Sequence, residues 1–208
     1  DESAFTKYRD MYSQFGLGVK TEIDLPVESL GYKGKSTLPG HLLDFSIGQY
    51  DTYTPIQLSQ YINTIANGGS RLKPHLLKEV YSQSENDQER FGEQIYKVEK
   101  EVLNTVDVDS KYIERVQLGF KQTISDGLGY GYMGNYKKSS GKTGTSESFI
   151  DTNNDGVVDT ETITSSFVGY SPSDNPRMSI VVVSPDISIP NSYQSSVTKR
   201  ITASAVNK

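Results

Sequence analysis

The sequence predicts an α+β chain, α/β in the broad sense, with a helical and loop-rich front and a stranded back. Helical apolar periods recur ahead of residue 141. From residue 142 the period changes to the two-residue alternation of strands. A glycine- and tyrosine-rich stretch, 126–141, separates the two regimes. With 208 residues the chain is long enough to bury a sizeable core as one domain or two small ones.

Residues 3–15 form the first predicted helix. Ser3 can cap it, Phe5, Tyr8, Tyr12 and Phe15 share a face, and Gly16 and Gly18 stop it. Residues 19–53, rich in Gly, Pro and turn formers, read as ordered loop with short strand pieces. The clearest helix covers 54–69. Thr54 caps, Pro55 takes the first position, and Gln57 completes a capping box. Leu58, Tyr61, Ile62 and Ile65 make its apolar stripe, and Asn67-Gly68-Gly69 ends it where positive φ is tolerated. The charged stretch 82–100 reads as a solvated loop or hairpin. A further helix spans 110–125, with Ser110 as cap and Ile113, Val116, Phe120 and Ile124 facing inward. Strands follow at 142–150, 162–170 and 177–184, separated by a turn-rich insert (151–161) and by Ser171-Pro172-Ser173-Asp174-Asn175-Pro176. A last helix covers 192–206, with Val197, Ile201 and Ala205 as its apolar stripe.

Composition excludes several functions. Net charge is −5, so no basic surplus exists to neutralise phosphates, and bulk nucleic-acid binding is disfavoured. No apolar run reaches the ~18 residues of a membrane span, so the chain as given reads as soluble. Zero cysteines remove thiol catalysis, disulfides and cysteine-ligated zinc, and two histidines, His41 and His75, leave little for a Ser-His-Asp triad. The chain opens on Asp1 with no leader-like stretch, which reads as a mature chain or an excised piece.

The sharpest motif is Lys142-Thr143-Gly144-Thr145, opening a predicted strand. Alternation puts the Thr143 and Thr145 hydroxyls on one side, where both can face one carboxylate, with Lys142 as a fixed charge on the same edge. Gly144 lets a substrate backbone approach, and strand N–H groups can stabilise an oxyanion. Taken alone, the tetrapeptide reads first as an exposed polar strand start.

Context changes that reading. In order along the chain stand Phe15-Gly16-Leu17-Gly18, Thr21-Glu22-Ile23-Asp24-Leu25-Pro26-Val27-Glu28, Ser46-Ile47-Gly48-Gln49 and Thr54-Pro55-Ile56-Gln57-Leu58. After them come Ile65-Ala66-Asn67-Gly68-Gly69, Gly141-Lys142-Thr143-Gly144-Thr145-Ser146-Glu147 and Phe167-Val168-Gly169-Tyr170. With these the sequence resembles class B, monofunctional penicillin-binding proteins over essentially its whole length, and its details look most like a Gram-positive, staphylococcal-type member. The resemblance implies an antiparallel sheet packed by helices. It implies one partial transpeptidase domain over 1–208, mainly helix and loop in 1–141, then three strands and a helix in 142–208. It also implies D,D-transpeptidation of peptidoglycan stem peptides outside the cytoplasmic membrane, β-lactam binding, an upstream membrane anchor in the parent, and no cofactor. Lys142, Thr143, Gly144 and Thr145 would be the catalytic wall, and Thr143, Thr145, Ser146 and Gln49 would contact substrate. Tyr50 stands where a small residue is usual, and Tyr130, Tyr132 and Tyr136 are possible groove residues.

The departures matter. The family's Ser-x-x-Lys nucleophile motif and its Ser-x-Asn motif precede the Phe-Gly-x-Gly landmark, and residues 1–14 contain neither. Ser139-Ser140-Gly141-Lys142 matches the first by letters only, because it runs into a strand, where i and i+3 point to opposite faces. Ser84-Glu85-Asn86 and Ser173-Asp174-Asn175 match the second in a charged loop and a turn. The chain therefore reads as the C-terminal part of a transpeptidase domain, inactive alone. The apolar strand 178–183 would lack its usual partner, and its edge is expected to be covered by another segment or copy.

Alternatives stay open: a β-lactamase or β-lactam-sensing receptor fragment, or a non-catalytic module built on Asp151-x-Asn153-x-Asp155-Gly156-x-x-Asp159. That stretch resembles the start of a calcium loop but has Thr162 where the bidentate Glu belongs. A polar hairpin turn is its plain reading and an incidental calcium or sodium site the other. No metal ligand is assigned.

Overall fold

The structure, a computed structural model, describes residues 2–85, 88–134, 136, 138–188 and 196–207. Helix α1 (Glu2–Gln14) buries Phe5 and begins ahead of Ser3, which therefore lies inside its first turn and does not cap it. Helix α2 (Pro39–Ser46) occupies part of the stretch expected to be loop. It shows no helical period because one residue, Phe45, does its packing, with the Phe5 ring at 6.1 Å and the Tyr12 ring at 5.1 Å.

Helix α3 (Pro55–Ala66) has the expected reciprocal cap: the Gln57 N–H donates to Thr54 Oγ1 at 3.3 Å, and the Thr54 N–H donates to Gln57 Oε1 at 3.1 Å. Gly68 (φ 69°) and Gly69 (φ 98°) turn the chain out of it. Two short antiparallel pairs follow, β1 (Ser70–Leu72) with β4 (Val102–Thr105) and β2 (Glu79–Tyr81) with β3 (Gln94–Lys97). The second is the hairpin alternative for 82–100, with its first arm just upstream of that range. Strands of three or four residues are too short to show alternation. Asn86, of the Ser84-Glu85-Asn86 match, lies outside the described residues.

Helix α4 (Ser110–Ser125) is capped by Asp109, whose carboxylate accepts from the Lys111 N–H at 3.0 Å, so Ser110 is the first helical residue and not the cap. Ile113, Phe120 and Ile124 are buried as expected; Val116 is 40% exposed, against expectation.

The main sheet runs β5 (Ser140–Ile150), β6 (Thr160–Ser171), β7 (Met178–Ser188), all antiparallel in that order, each strand longer than the sequence suggested. Both faces are covered. Val168 and Tyr170 pack with Ile62 and Ile65 of α3 and Phe120 of α4. Phe167, pointing the other way, packs with Ile124, Met133 and Val206, the last from helix α5 (Val197–Val206). Each such fully buried side chain contributes about 1.5–3 kcal/mol, so β6, buried on both sides, is the spine of the molecule.

Helix α5 departs from its predicted face. Thr198, Thr202 and Val206 are buried, whereas Val197 (43%) and Ile201 (48%) are exposed, as is Ala205. The helix is turned by one residue because the sheet beneath it offers the hydroxyls of Ser165 and Ser184, which Thr198 reaches. Residues 192–195 of the expected helix lie outside the described residues. No helix among the described residues is long and apolar enough to cross a membrane.

Candidate active site

Strand β5 is an outer strand of its sheet, and Lys142-Thr143-Gly144-Thr145 lies near its start. Directly opposed residues of an antiparallel pair share a face. Lys142 faces Val168 and Gly144 faces Ser166, on the side packed by α3 and Phe120; Thr143 faces Phe167 and Thr145 faces Ser165, on the side packed by Ile124 and α5. The two threonines therefore do share a side, and Lys142 leaves the same edge from the other face. Lys142 is exposed, and its Nζ donates to the Thr143 carbonyl at 2.6 Å. At Gly144 an added Cβ would come 2.5 Å from Ser166 Oγ, so a cross-strand hydroxyl uses the bare backbone there. Ser146 follows opposite Thr164 on the Lys142 side. The edge thus joins a cation and two hydroxyls, a set suited to an anionic ligand.

The glycine-rich stretch before β5 lies against the sheet. Tyr132 stacks on Phe167 at 4.7 Å, and burial pushes its phenol pKa up. It is a packing residue, while Tyr130 and Tyr136 are exposed. Helix α4 packs directly on β5.

Gln49 sits elsewhere. It follows α2, half-buried, with its N–H donating to the Asp44 carbonyl at 3.0 Å, and α2 packs on α1. Ser46, Ile47 and Gly48 line an apolar cavity of about 450 Å³ with Phe15, Leu58 and Tyr61. Lys142–Ser146 are thus brought together on one strand, and Gln49 belongs to the α1–α2 layer. Tyr50 takes φ 102°, and its ring lies among Phe5, His41 and Phe45 at centroid distances of 5.2–5.9 Å. Packing is its role here.

The letter-matches to the nucleophile motif are structural. Ser139 and Ser140 are buried; Ser139 Oγ donates to Ser171 Oγ at 3.0 Å and Ser140 Oγ to Ser173 Oγ at 2.9 Å, which ties the start of β5 to the turn after β6. The Asp151–Asp159 stretch links β5 to β6. Asp151 accepts from the Gly156 N–H at 2.7 Å and from Asn153 and Asp155, while Asp159 holds Thr152. These bonds draw both carboxyl pKa values down, for Asp151 chiefly the Gly156 N–H and for Asp159 chiefly the Thr152 hydroxyl.

Residues 3–207 match the family described as penicillin binding protein transpeptidase domain. The chain belongs to this transpeptidase family. It is 47% identical to penicillin-binding protein 2A of Bacillus subtilis over 209 residues, which is 100% of this chain and 29% of that protein. With penicillin-binding protein H of the same organism the identity is 39%, over 96% of this chain and 28% of the other. Among solved structures, penicillin-binding protein 2B of Streptococcus pneumoniae strain R6 superimposes with a TM-score of 0.83 at 32% identity, over 99% of this chain and 32% of that one. The chain therefore spans about three-tenths of the length of these relatives, all of them penicillin-binding proteins by name.

On this transpeptidase fold the sequence landmarks prove to be few structural units. Gly141 pairs with Gly169 and Lys142 with Val168, so the two C-terminal landmarks form one ladder. The landmarks at 54–58 and 65–69 are the two ends of α3. The 21–28 landmark closes on itself, the Glu28 carboxylate accepting from the Thr21 N–H at 2.6 Å and from its hydroxyl. It is anchored by Gln60, whose Nε2 donates to the Thr21 carbonyl at 3.0 Å. Ser165, Ser166 and Thr198 lie behind the candidate edge, where the sequence gives no sign of them. Ser165 and Ser166 do adjoin the Phe167 landmark, but short hydroxyl residues in a strand carry no signature of their own.

Proposed function

We propose that this chain is the C-terminal part of a peptidoglycan D,D-transpeptidase domain, one partial domain over 1–208. The observation that carries the reading is the Lys142-Thr143-Gly144-Thr145 edge standing on a fold whose family match runs from residue 3 to 207. In the parent, a serine oxygen supplied from outside this chain attacks the penultimate D-Ala carbonyl carbon. The peptide bond breaks, terminal D-Ala leaves as the amine with the proton, and a serine ester remains. An amine from a second strand then attacks the ester, forms the cross-link and returns the proton to the serine. The Thr143 and Thr145 hydroxyls hold the substrate or β-lactam carboxylate, Lys142 supplies positive potential beside them, and the Thr145 N–H donates to the oxyanion. Gly144 and Ser146 complete this wall, Ser146 as a substrate contact, and Gln49, in the α1–α2 layer, is the remaining substrate contact of the proposal. Lacking the nucleophile, the chain alone is inactive.

The exposed Lys142 side chain, whose Nζ among the described residues bonds its neighbour's carbonyl, supports this assignment, since a cation so placed is free to turn to a ligand. The outer edge of β7, with Ile180, Val181, Val182 and Val183, is the place for a strand from the upstream part of the parent or from another copy. The parent is placed at the outer face of the cytoplasmic membrane, held by an upstream anchor. Relatives from Bacillus and Streptococcus support a Gram-positive source, and a staphylococcal one is the narrower reading.

Fluorescent penicillin labelling of the parent tests the proposal. A persistent label that falls at least about tenfold in rate with Lys142→Ala, with thermal stability unchanged, is expected. Unchanged labelling removes the role of Lys142, and rapid loss of the label by hydrolysis identifies a β-lactamase instead.

A further inference from the structure

The Thr198 hydroxyl, in the first turn of α5, is fully buried beneath the helix. Its oxygen lies 2.9 Å from Ser165 Oγ, 3.3 Å from the Ser165 carbonyl and 3.2 Å from Ser184 Oγ. A hydroxyl has one proton to donate and two lone pairs to accept with, so Thr198 can join β6 and β7 at once. Ser165 and Ser184 are register partners at an irregularity: Ile163 pairs with Ile187, but Ser165 pairs with Ser184. Such a bulge leaves the ladder locally interrupted and lets the strand bend. Thr198 supplies the bonds at that point. On the other side of β6, Ser165 is the register partner of Thr145. One cross-strand step therefore separates the Thr198 cluster from the residue that presents both a hydroxyl and an N–H to the reaction.

We propose that Thr198 is a positioning residue for the transpeptidase reaction: by pinning Ser165 and Ser184 at the bulge it fixes the depth at which β5 presents Thr145. This rests on the reading of the Lys142–Thr145 edge given above. It also accounts for the rotation of α5. A helix that buried Val197 and Ile201 would gain apolar contact and lose the Thr198 hydroxyl that reaches both strands here. Oxyanion donors act through placement set to fractions of an ångström, so a small shift of β5 is felt in the rate of the chemical step.

The test is made in the full-length parent, measuring the acylation rate constant and the dissociation constant for penicillin separately. Thr198→Val keeps the shape and removes the bridge; it is expected to slow acylation about tenfold while the dissociation constant stays within about twofold. Thr198→Ser, which restores the hydroxyl, is expected to recover the wild-type rate. Thr202 is buried one turn on and its hydroxyl donates to the Thr198 carbonyl at 2.8 Å. Thr202→Val therefore reports what loss of a buried α5 hydroxyl does to stability, and it is expected to lower Tm without the acylation defect. Acylation by Thr198→Val at the wild-type rate, or a defect equal to that of Thr202→Val at equal Tm, overturns the positioning role alone. Absence of labelling in the wild-type parent overturns the transpeptidase reading and this inference with it.

Discussion

Arg9 and Asp51 form a two-pronged ion pair, Nε donating to Oδ2 at 2.8 Å and Nη2 to Oδ1 at 2.9 Å. Nη2 also donates to the Gly34 carbonyl at 3.0 Å, and the Gly34 N–H donates to Asp51 Oδ1 at 2.9 Å. The guanidinium lies over the Phe45 and Phe5 rings at 5.4 and 5.8 Å. One pair thus fastens α1 to the loops on either side of α2. The Asp51 side chain is only 6% exposed. Asp51→Ala leaves a half-buried guanidinium without its carboxylate and is expected to cost about 3 kcal/mol. Urea unfolding, read as a shift in midpoint at constant slope, measures it.

Gly34 is needed for a different reason from most glycines. Its Cβ position lies 2.4 Å from the Tyr50 ring, which reaches across to donate its hydroxyl to the Ser36 carbonyl. Gly34→Ala must push that ring away from Phe5 and Phe45, and it is expected to destabilise by about 1–3 kcal/mol. Thermal unfolding of Gly34→Ala beside Gly40→Ala provides the comparison, since nothing lies within 4 Å of a Cβ at Gly40.

The two halves of the α3 cap are unequal. Thr54→Ala removes one hydrogen bond to the first turn and is expected to cost about 1 kcal/mol. Gln57 does more than cap: it is fully buried, and its Nε2 donates to the Val19 carbonyl at 2.8 Å. Gln57→Ala leaves that carbonyl without its donor and is expected to cost about 2–3 kcal/mol. Equal losses in chemical unfolding would show that Gln57 acts only at the helix end.

The Asp151 carboxyl sits below its ordinary 3.8, held there first by the Gly156 N–H. A folded-state value lower than the unfolded one means the ionised form is favoured by folding. That stabilisation is fully present above the ordinary carboxylate value and is lost as pH falls through the depressed one. Carboxyl carbon NMR titration is expected to place Asp151 below 3.8 in the folded protein and close to that value in the urea-unfolded chain.

Much of the fold was legible in local chemistry. The α3 cap needed only Thr54, Pro55 and Gln57 within four residues. The shared side of Thr143 and Thr145 followed from strand alternation alone. Helix α2 was illegible because one aromatic, Phe45, holds it. The short strands β1–β4 were illegible because three or four residues cannot display a period. The Ser139–Lys142 letters form no helical turn: Ser140–Lys142 open β5, and both serines are buried.

The candidate site divides the same way. Its residue types and their order along β5 lie in the sequence, because backbone sterics force alternation on any strand. Which partners stand behind them was decided by tertiary structure. Thr198 and Val197 are neighbours, and helical periodicity favours burying the valine. The fold buries the threonine, whose hydroxyl reaches both Ser165 and Ser184 where the ladder is interrupted. Apolar periodicity records what a helix could bury; the polar groups of the surface it lands on determine which face it does bury.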